Sequence, residues 1–348
     1  MRVLVTGHNG YVGTRMVPML AAAGHEVVGM DTNLYAAATF GEAVPTAASY
    51  EIEKDVRDAG PQDLEGIQAV IHLAGLSNDP LGDLNPVLTY EINYSASVRL
   101  AELAKQMGAE RFIFASSCSN YGAGGQDFLD ENSEFNPVTP YGRSKVLVEQ
   151  DVSKLADDNF SPVFMRSATA YGVSPRLRFD LVLNNLVAWA YTTGQVYLKS
   201  DGTPWRPLVH IADMSLAFLS ALNAPREKIH NQAFNVGRTQ ENYRIREVAE
   251  VVAQAVPGSR VEFSSDAGPD KRNYRVNCDR ILQTLPEYQP RWDIRKGAQE
   301  LYQAYQKIGL QPDEFEGPRY RRIHHIKELI ASGQLEENLR WRQPAAIG

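Results

Sequence analysis

Tyr141 and Lys145, in Tyr141-Gly-Arg-Ser-Lys145, stand four residues apart and fall on one face of any helix that carries them. A free phenol titrates near pH 10, roughly three units too high for a base at neutral pH. A neighbouring ammonium stabilises the phenolate and lowers that value. Thr139 is a fitting N-cap and Pro140 a fitting first helical residue, so the helix is expected to start just ahead of the tyrosine. A second set of proton carriers lies upstream in Phe112-Ile-Phe-Ala-Ser-Ser-Cys-Ser-Asn-Tyr-Gly122, an apolar strand running into serines. A serine hydroxyl there can donate to a substrate oxygen and hand its proton to Tyr141. Chemistry alone leaves open which serine does so. Cys118 reads by itself as small-residue packing.

A binding site is written into the first residues, MRVLVTGHNGYVG. The strand Val3-Leu-Val5 runs into Gly7-x-x-Gly10-x-x-Gly13, which opens a helix. Glycines let backbone turn tightly against phosphates, and a helix N-terminus offers free N–H groups and partial positive charge. Asp31 ends the second strand, where a carboxylate accepts from adenosine ribose hydroxyls; this predicts NAD over NADP. Asn9, Tyr11 and Val12, inside the turn, belong to the same expected site.

Strand and helix signals alternate through the first 170 residues: strands at 2–6, 26–30, 50–53, 69–73, 111–115 and 163–166, with helices at 11–23, 85–107 and 141–155. Such alternation predicts parallel βαβ units and a doubly wound sheet, with ligand at the strands' C-terminal ends. Beyond about residue 172, Pro, Arg and Trp cluster, and helical stretches at 180–193, 211–223, 244–255 and 293–307 alternate with short strands at 233–236 and 260–263. The expected organisation is a dinucleotide domain over 1–172, with some later segments returning to it, a smaller α/β substrate lobe over 173–311 and a charged helical tail over 312–348. The basic stretch 318–327 in that tail reads as a solvated helix face.

With 35 Lys and Arg against 42 Asp and Glu the net charge is -7, which speaks against nucleic acid or an anionic membrane as partner. No apolar run approaches membrane-spanning length. The chain opens directly on a strand, which predicts no signal peptide. Cys118 and Cys278 carry no disulfide or zinc spacing and suit a reducing cytoplasm. The seven histidines form no His-Glu-x-x-His, so no metal site is expected.

Together, Thr6-Gly-x-x-Gly-x-x-Gly13 and the Ser…Tyr141-x-x-x-Lys145 set resemble the extended short-chain dehydrogenase/reductase family, in its nucleotide-sugar epimerase/dehydratase branch. The likeness spans roughly residues 1–300. It implies a Rossmann-type sheet and a homodimer paired through the helices near 85–107 and 141–155. In that family the active hydroxyl stands four residues before the tyrosine of a Tyr-Gly pair, here Tyr121-Gly122, which implies Ser117, with Ser116 beside the cofactor. The resemblance also implies cofactor contacts at Asp55, Val56, Leu73, Ala74 and Gly75, and Asn93 as the helix asparagine that supports the site. Arg206 and Arg272 match arginines that bind substrate phosphate; an arginine fork suits pyrophosphate oxygens. Asn185 is a substrate candidate, though nothing separates it from Asn184.

Where sugar 4,6-dehydratases carry Asp-Glu after the active hydroxyl residue, this chain has Cys118-Ser119, nearer the small or hydroxyl residues of 4-epimerases. Thr169 stands where many relatives have asparagine. The implied activity is an NAD-dependent epimerase of a nucleoside-diphosphate sugar. Tyr141 takes a hydroxyl proton at C4, Ser117 relays or steadies it, Lys145 tunes Tyr141, and the keto-sugar is reduced from its other face. A 4-keto-sugar reductase, a dehydratase and a non-catalytic NAD-binding scaffold are the alternatives.

Overall fold

A computed structural model describes residues 1–42, 46–77, 82, 84–123, 127–268 and 273–342. Its centre is a seven-stranded, wholly parallel sheet. The strands lie side by side in the order Gln232–Val236, Ser161–Ser167, Arg111–Ser117, Ala69–His72, Arg2–Thr6, Glu26–Asp31 and Tyr50–Glu53. Val3, Leu4, Val5, Val70, Ile71, Ile113 and Phe114 are completely buried, as a sheet covered on both faces requires. The strand order reverses between Arg2–Thr6 and Ala69–His72, so a crevice opens at their C-terminal ends.

One face of the sheet is covered by helices Gly13–Ala22 and Ile211–Asn223, through Met16, Val17, Leu20, Ala217 and Phe218. The other carries helices Ala96–Gln106 and Pro140–Val152, through Leu100, Ala104, Val148 and Val152. The long helix expected over 85–107 has three parts: Pro86–Tyr90, a π-helical turn at Glu91–Ser95, and Ala96–Gln106. The wider turn brings Asn93 inward, as π-bulges often do beside sites.

The smaller lobe holds helices Val182–Thr193, Ile245–Ala255 and Ile294–Ile308 around a core that includes Leu183, Val187, Val252 and Leu301. Two segments beyond residue 172 belong with the central sheet: strand Gln232–Val236 is its edge strand, pairing Phe234 with Met165, and helix Ile211–Asn223 covers one face. One sequence expectation changes here. The basic stretch 318–327 is not a solvated face. Helix Arg322–Ala331 buries Arg322, His325, Ile326 and Leu329, and Ile326 and Leu329 share a core with Leu76, Leu88 and Ile92. Charged spacing on this helix hid an apolar stripe that needs the nucleotide domain to cover it.

Candidate active site

A cleft of about 810 Å³ runs over the C-terminal ends of the central strands and is walled by both lobes and the tail. At its floor Gly7 adopts a left-handed conformation (φ +73°) and donates its amide to Met30 O at 2.7 Å. A Cβ on Gly7 would stand 2.8 Å from the amide nitrogen of Ala74, and one on Gly13 would stand 2.3 Å from His8 O. The turn therefore closes only without side chains at these two positions. Asp31 staples it: one carboxylate oxygen accepts from the amide of Asn9 at 3.0 Å and the other from that of Asn33 at 2.9 Å.

Asn9, Gly10, Tyr11, Val12, Asp55, Val56, Leu73, Ala74 and Gly75 all line the same cleft. Tyr11 also donates its hydroxyl to Gly172 O at 2.8 Å, tying the turn to the point where the chain enters the smaller lobe. Asp55 accepts from the backbone N–H and the guanidinium of Arg57, with the side-chain contacts at 2.7 and 3.1 Å. The concave backbone and this ring of residues fit a dinucleotide in shape and chemistry.

Behind the floor, hydrogen bonds run in one direction. The Ala74 amide donates to Thr6 Oγ1. Ser97 Oγ donates to Asn93 O and so accepts from His72 Nε2, leaving His72 Nδ1 to accept from Thr6 Oγ1 at 2.6 Å. Burial, helped by the charge of Lys145, holds the His72 imidazole down to about 3, so it stays neutral.

Helix Pro140–Val152 begins as expected, with Thr139 Oγ1 accepting from the Gly142 amide. Tyr141 and Lys145 share its cleft-facing side. Lys145 Nζ donates to Ala115 O at 2.7 Å and lies 4.4 Å over the Phe114 ring and 5.7 Å from the Tyr141 ring centre. Burial lowers its ammonium to about 7, with the Glu149 carboxylate pulling the other way. Ser117 and Ser119 line the cleft, and Ser117 Oγ accepts from the Ser119 amide at 3.1 Å. The Ser119 hydroxyl is buried without a partner. Ser116 reaches the cleft too, but its hydroxyl donates to Glu149 at 2.5 Å, inside a buried network where Glu149 pairs with Arg166 at 2.7 Å.

Not every expected residue meets the cleft. Asn93 is buried behind it, accepting from the Leu76 amide at 2.7 Å and donating to Leu76 O at 3.0 Å; it clamps the segment after Gly75 instead of lining the cavity. Cys118 turns into a small core with Tyr121, Tyr274, Val276 and Cys278, its thiol donating to Arg166 O. Burial pushes that thiol far up, so it is inert. Arg272 lies outside the described residues. Arg206 lines the cleft, buried beside the Tyr274 ring. The Asn184–Asn185 pair separates: Asn184 is a buried strut bonded to the Gly172 amide and Arg178 O, while Asn185 faces the cleft.

Sequence reading missed Ser167, whose buried, unpartnered hydroxyl lines the cleft opposite Ser117 in strand register. Its place at a strand's C-terminal end was the available signal. Arg178, Arg321 and Arg322 were also missed; all three line the cleft.

The model of the NAD-dependent epimerase/dehydratase family matches residues 3–237. The UDP-glucose 4-epimerase of Bacillus subtilis (strain 168) is 26% identical over 325 residues, 86% of this chain and 94% of its own length. Among solved structures, MoeE5 in complex with UDP-glucuronic acid and NAD is 26% identical, with a TM-score of 0.76 over 88% of this chain and all of its own. The UDP-glucose 4-epimerase of Thermus thermophilus, solved in complex with NAD, is 25% identical, with a TM-score of 0.73 over 88% of this chain and 99% of its own. With the glycine turn, the parallel sheet and the Tyr–Lys helix all inside the matched span, the chain belongs to the NAD-dependent epimerase/dehydratase family.

Proposed function

We propose that the chain is an NAD-dependent nucleotide-sugar epimerase that inverts C4 of a UDP-hexose. The observation that carries this reading is that Ser117, Tyr141 and Lys145 line one continuous cleft with the glycine turn and Asp31. The Bacillus subtilis relative, a UDP-glucose 4-epimerase, supports the choice of carbon and nucleotide.

When bound, NAD supplies a hydride acceptor and donor, so the reaction consumes no external reductant. The chain's residues handle the proton and the charges. Tyr141, as phenolate, takes the proton of the sugar hydroxyl; the Lys145 ammonium stabilises that phenolate, and Ser117 Oγ steadies the sugar oxygen. Arg206 holds a phosphate of the substrate. Ser119 and Ser167, with unmet hydroxyls in the cleft, hydrogen-bond the sugar. Cys118 and Ser119 provide no carboxylic acid–base pair, so elimination of water is disfavoured. The resemblance that implies the activity also implies a homodimer paired through the helices near 85–107 and 141–155, and the two cysteines suit a reducing cytoplasm; sedimentation of the purified protein tests the dimer.

The deciding experiment incubates purified protein with a panel of nucleotide sugars and follows products by NMR. An isomer of unchanged mass, formed without added NADH, is the expected result. Loss of water identifies a dehydratase, and turnover only with NADH a reductase. If Tyr141→Phe leaves the protein's biological activity intact, the chain is a binding protein.

A further inference from the structure

The tail does more than follow the second lobe. Phe315 and Tyr320 pack on Phe179, and helix Arg322–Ala331 then crosses back over the nucleotide domain. His325 donates to Leu34 O at 2.8 Å, Trp341 to Thr32 O at 2.6 Å, and Arg340 pairs with Asp58. The segment thereby covers the loop that follows Asp31. All of it lies beyond the family model's matched residues, 3–237.

Arg322 is the group this packing delivers. It is 9% exposed and lines the cleft. Its Nη1 donates to Ser77 Oγ at 3.1 Å, and its guanidinium lies 4.2 Å over the Tyr35 ring. Its Nη2 is buried with no hydrogen-bond partner. Among the described residues no carboxylate forms an ion pair with it. The nearby Asp180 is occupied by Arg178, which donates to both of its oxygens at 3.0 and 2.6 Å. Arg178 itself reaches toward Ser77 O at 3.4 Å, so two buried guanidiniums converge on Ser77 while the Asp180 carboxylate is already paired with Arg178.

A buried cation with an unmet donor is costly unless an anion completes it. Burial and the charge of Arg178 lower the Arg322 guanidinium to about 10, against the opposite pull of Tyr35, Asp180 and Asp31. The cleft admits two diphosphates under the function proposed above, on which this inference rests: that of the dinucleotide and that of the sugar nucleotide. Arg322 neighbours Tyr35 and Ser77, in the segments just after Asp31 and just after Gly75, both on the dinucleotide side. Arg206 and Tyr274 form a separate cationic place.

We propose that Arg322, carried by the C-terminal segment, completes the dinucleotide site by donating to the cofactor's pyrophosphate together with Arg178. The tail is thus a wall of the NAD site and retains the cofactor.

The test uses full-length protein stripped of nucleotide, with NAD, AMP and UDP as calorimetric probes. Arg322→Met keeps the stem and removes the charge. It is expected to weaken NAD roughly ten- to a hundredfold, leave AMP and UDP within about twofold, and not lower the melting temperature of the stripped protein. Arg322→Lys should recover part of the NAD affinity. Unchanged NAD binding overturns the assignment, as does a loss confined to UDP, which would give Arg322 to the sugar nucleotide. A lower melting point with unchanged NAD binding marks Arg322 as merely structural and also overturns it. Wild-type protein that binds no NAD would instead overturn the reading of the cleft itself.

Discussion

Lys145 Nζ lies 5.7 Å from the centre of the Tyr141 ring while donating to Ala115 O at 2.7 Å, one turn further along the same helix. The lysine is anchored by the sheet, so its charge is placed by the strand end and not by a flexible stem. That placement has an electrostatic cost. Burial lowers the ammonium from 10.5 to about 7. Between about pH 7 and about pH 10 the unfolded chain holds this proton and the folded chain does not, so stability rises with pH across that window. Below it both states are protonated and the full penalty stands. Lys145→Met removes the titration. Its stability relative to wild type, measured by urea unfolding of the stripped protein, should fall by about 1 kcal/mol per pH unit from pH 7 to 9. A flat difference would contradict the buried ammonium. The same variant should lose about 10²–10⁴-fold in turnover.

His72 titrates in the opposite part of the pH range. Its neutral ring links Thr6 to Ser97, and burial lowers it from 6.5 to about 3. Between those values the unfolded chain binds a proton that the folded chain refuses, so stability is lost as pH falls below about 6.5. His72→Leu takes from the buried Thr6 hydroxyl its acceptor and from the Ser97 hydroxyl its donor, and should cost about 1–3 kcal/mol at pH 7. At pH 5 its deficit should narrow by about 2 kcal/mol, because wild type alone carries the histidine penalty. Urea titrations at the two pH values measure this directly.

Glu149 and Arg166 form a nearly dry pair, with contacts at 2.7, 3.1 and 3.1 Å, and Glu149 also receives Ser116 and Asn120. Removing one charge leaves the other buried and uncompensated. Glu149→Gln should therefore cost about 3–5 kcal/mol. Adding Arg166→Met should return a substantial part of it. A double-mutant cycle by denaturant unfolding checks both statements; simple additivity would mean the two groups do not interact.

The floor of this cleft was legible in the sequence because its features are local. Gly7, Gly10, Gly13 and Asp31 sit within one βαβ unit, and Tyr141 and Lys145 within one helical turn, so spacing alone reports their geometry. The apolar strands read correctly for the same reason, each being a contiguous buried run. What was not legible depends on distant pairing. Strand Gln232–Val236 joins the central sheet beside Ser161–Ser167, across about 70 residues of chain, and nothing within it says which sheet it enters.

The roof was illegible for a further reason. Arg322 and His325 lie in a run of charges whose usual meaning is solvent exposure, and only the apolar surface of Leu76, Leu88 and Ile92 turns that helix inward. Cys118 and Ser119 are adjacent in sequence yet face opposite ways, one into a core and one into the cleft, because the 3₁₀ turn Cys118–Tyr121 follows the strand directly.

Asn93 offers the sharpest separation of support from contact. The π-helical turn at Glu91–Ser95 places its amide against Leu76, where it satisfies both backbone groups from outside the cleft. Asn93→Ala leaves a buried N–H and a buried C=O without partners, at about 2–3 kcal/mol in stability. The segment after Gly75 is then no longer held. NAD affinity should weaken several-fold, while the affinity for UDP stays unchanged. Asn93→Asp keeps the acceptor for the Leu76 amide but sets a carboxylate against the Leu76 carbonyl. It should therefore be no better than alanine, although it preserves the size of the side chain. Melting curves and NAD titrations of the two variants decide the matter: an aspartate variant that binds NAD like wild type would mean that the clamp on Leu76 O plays no part in holding the cofactor.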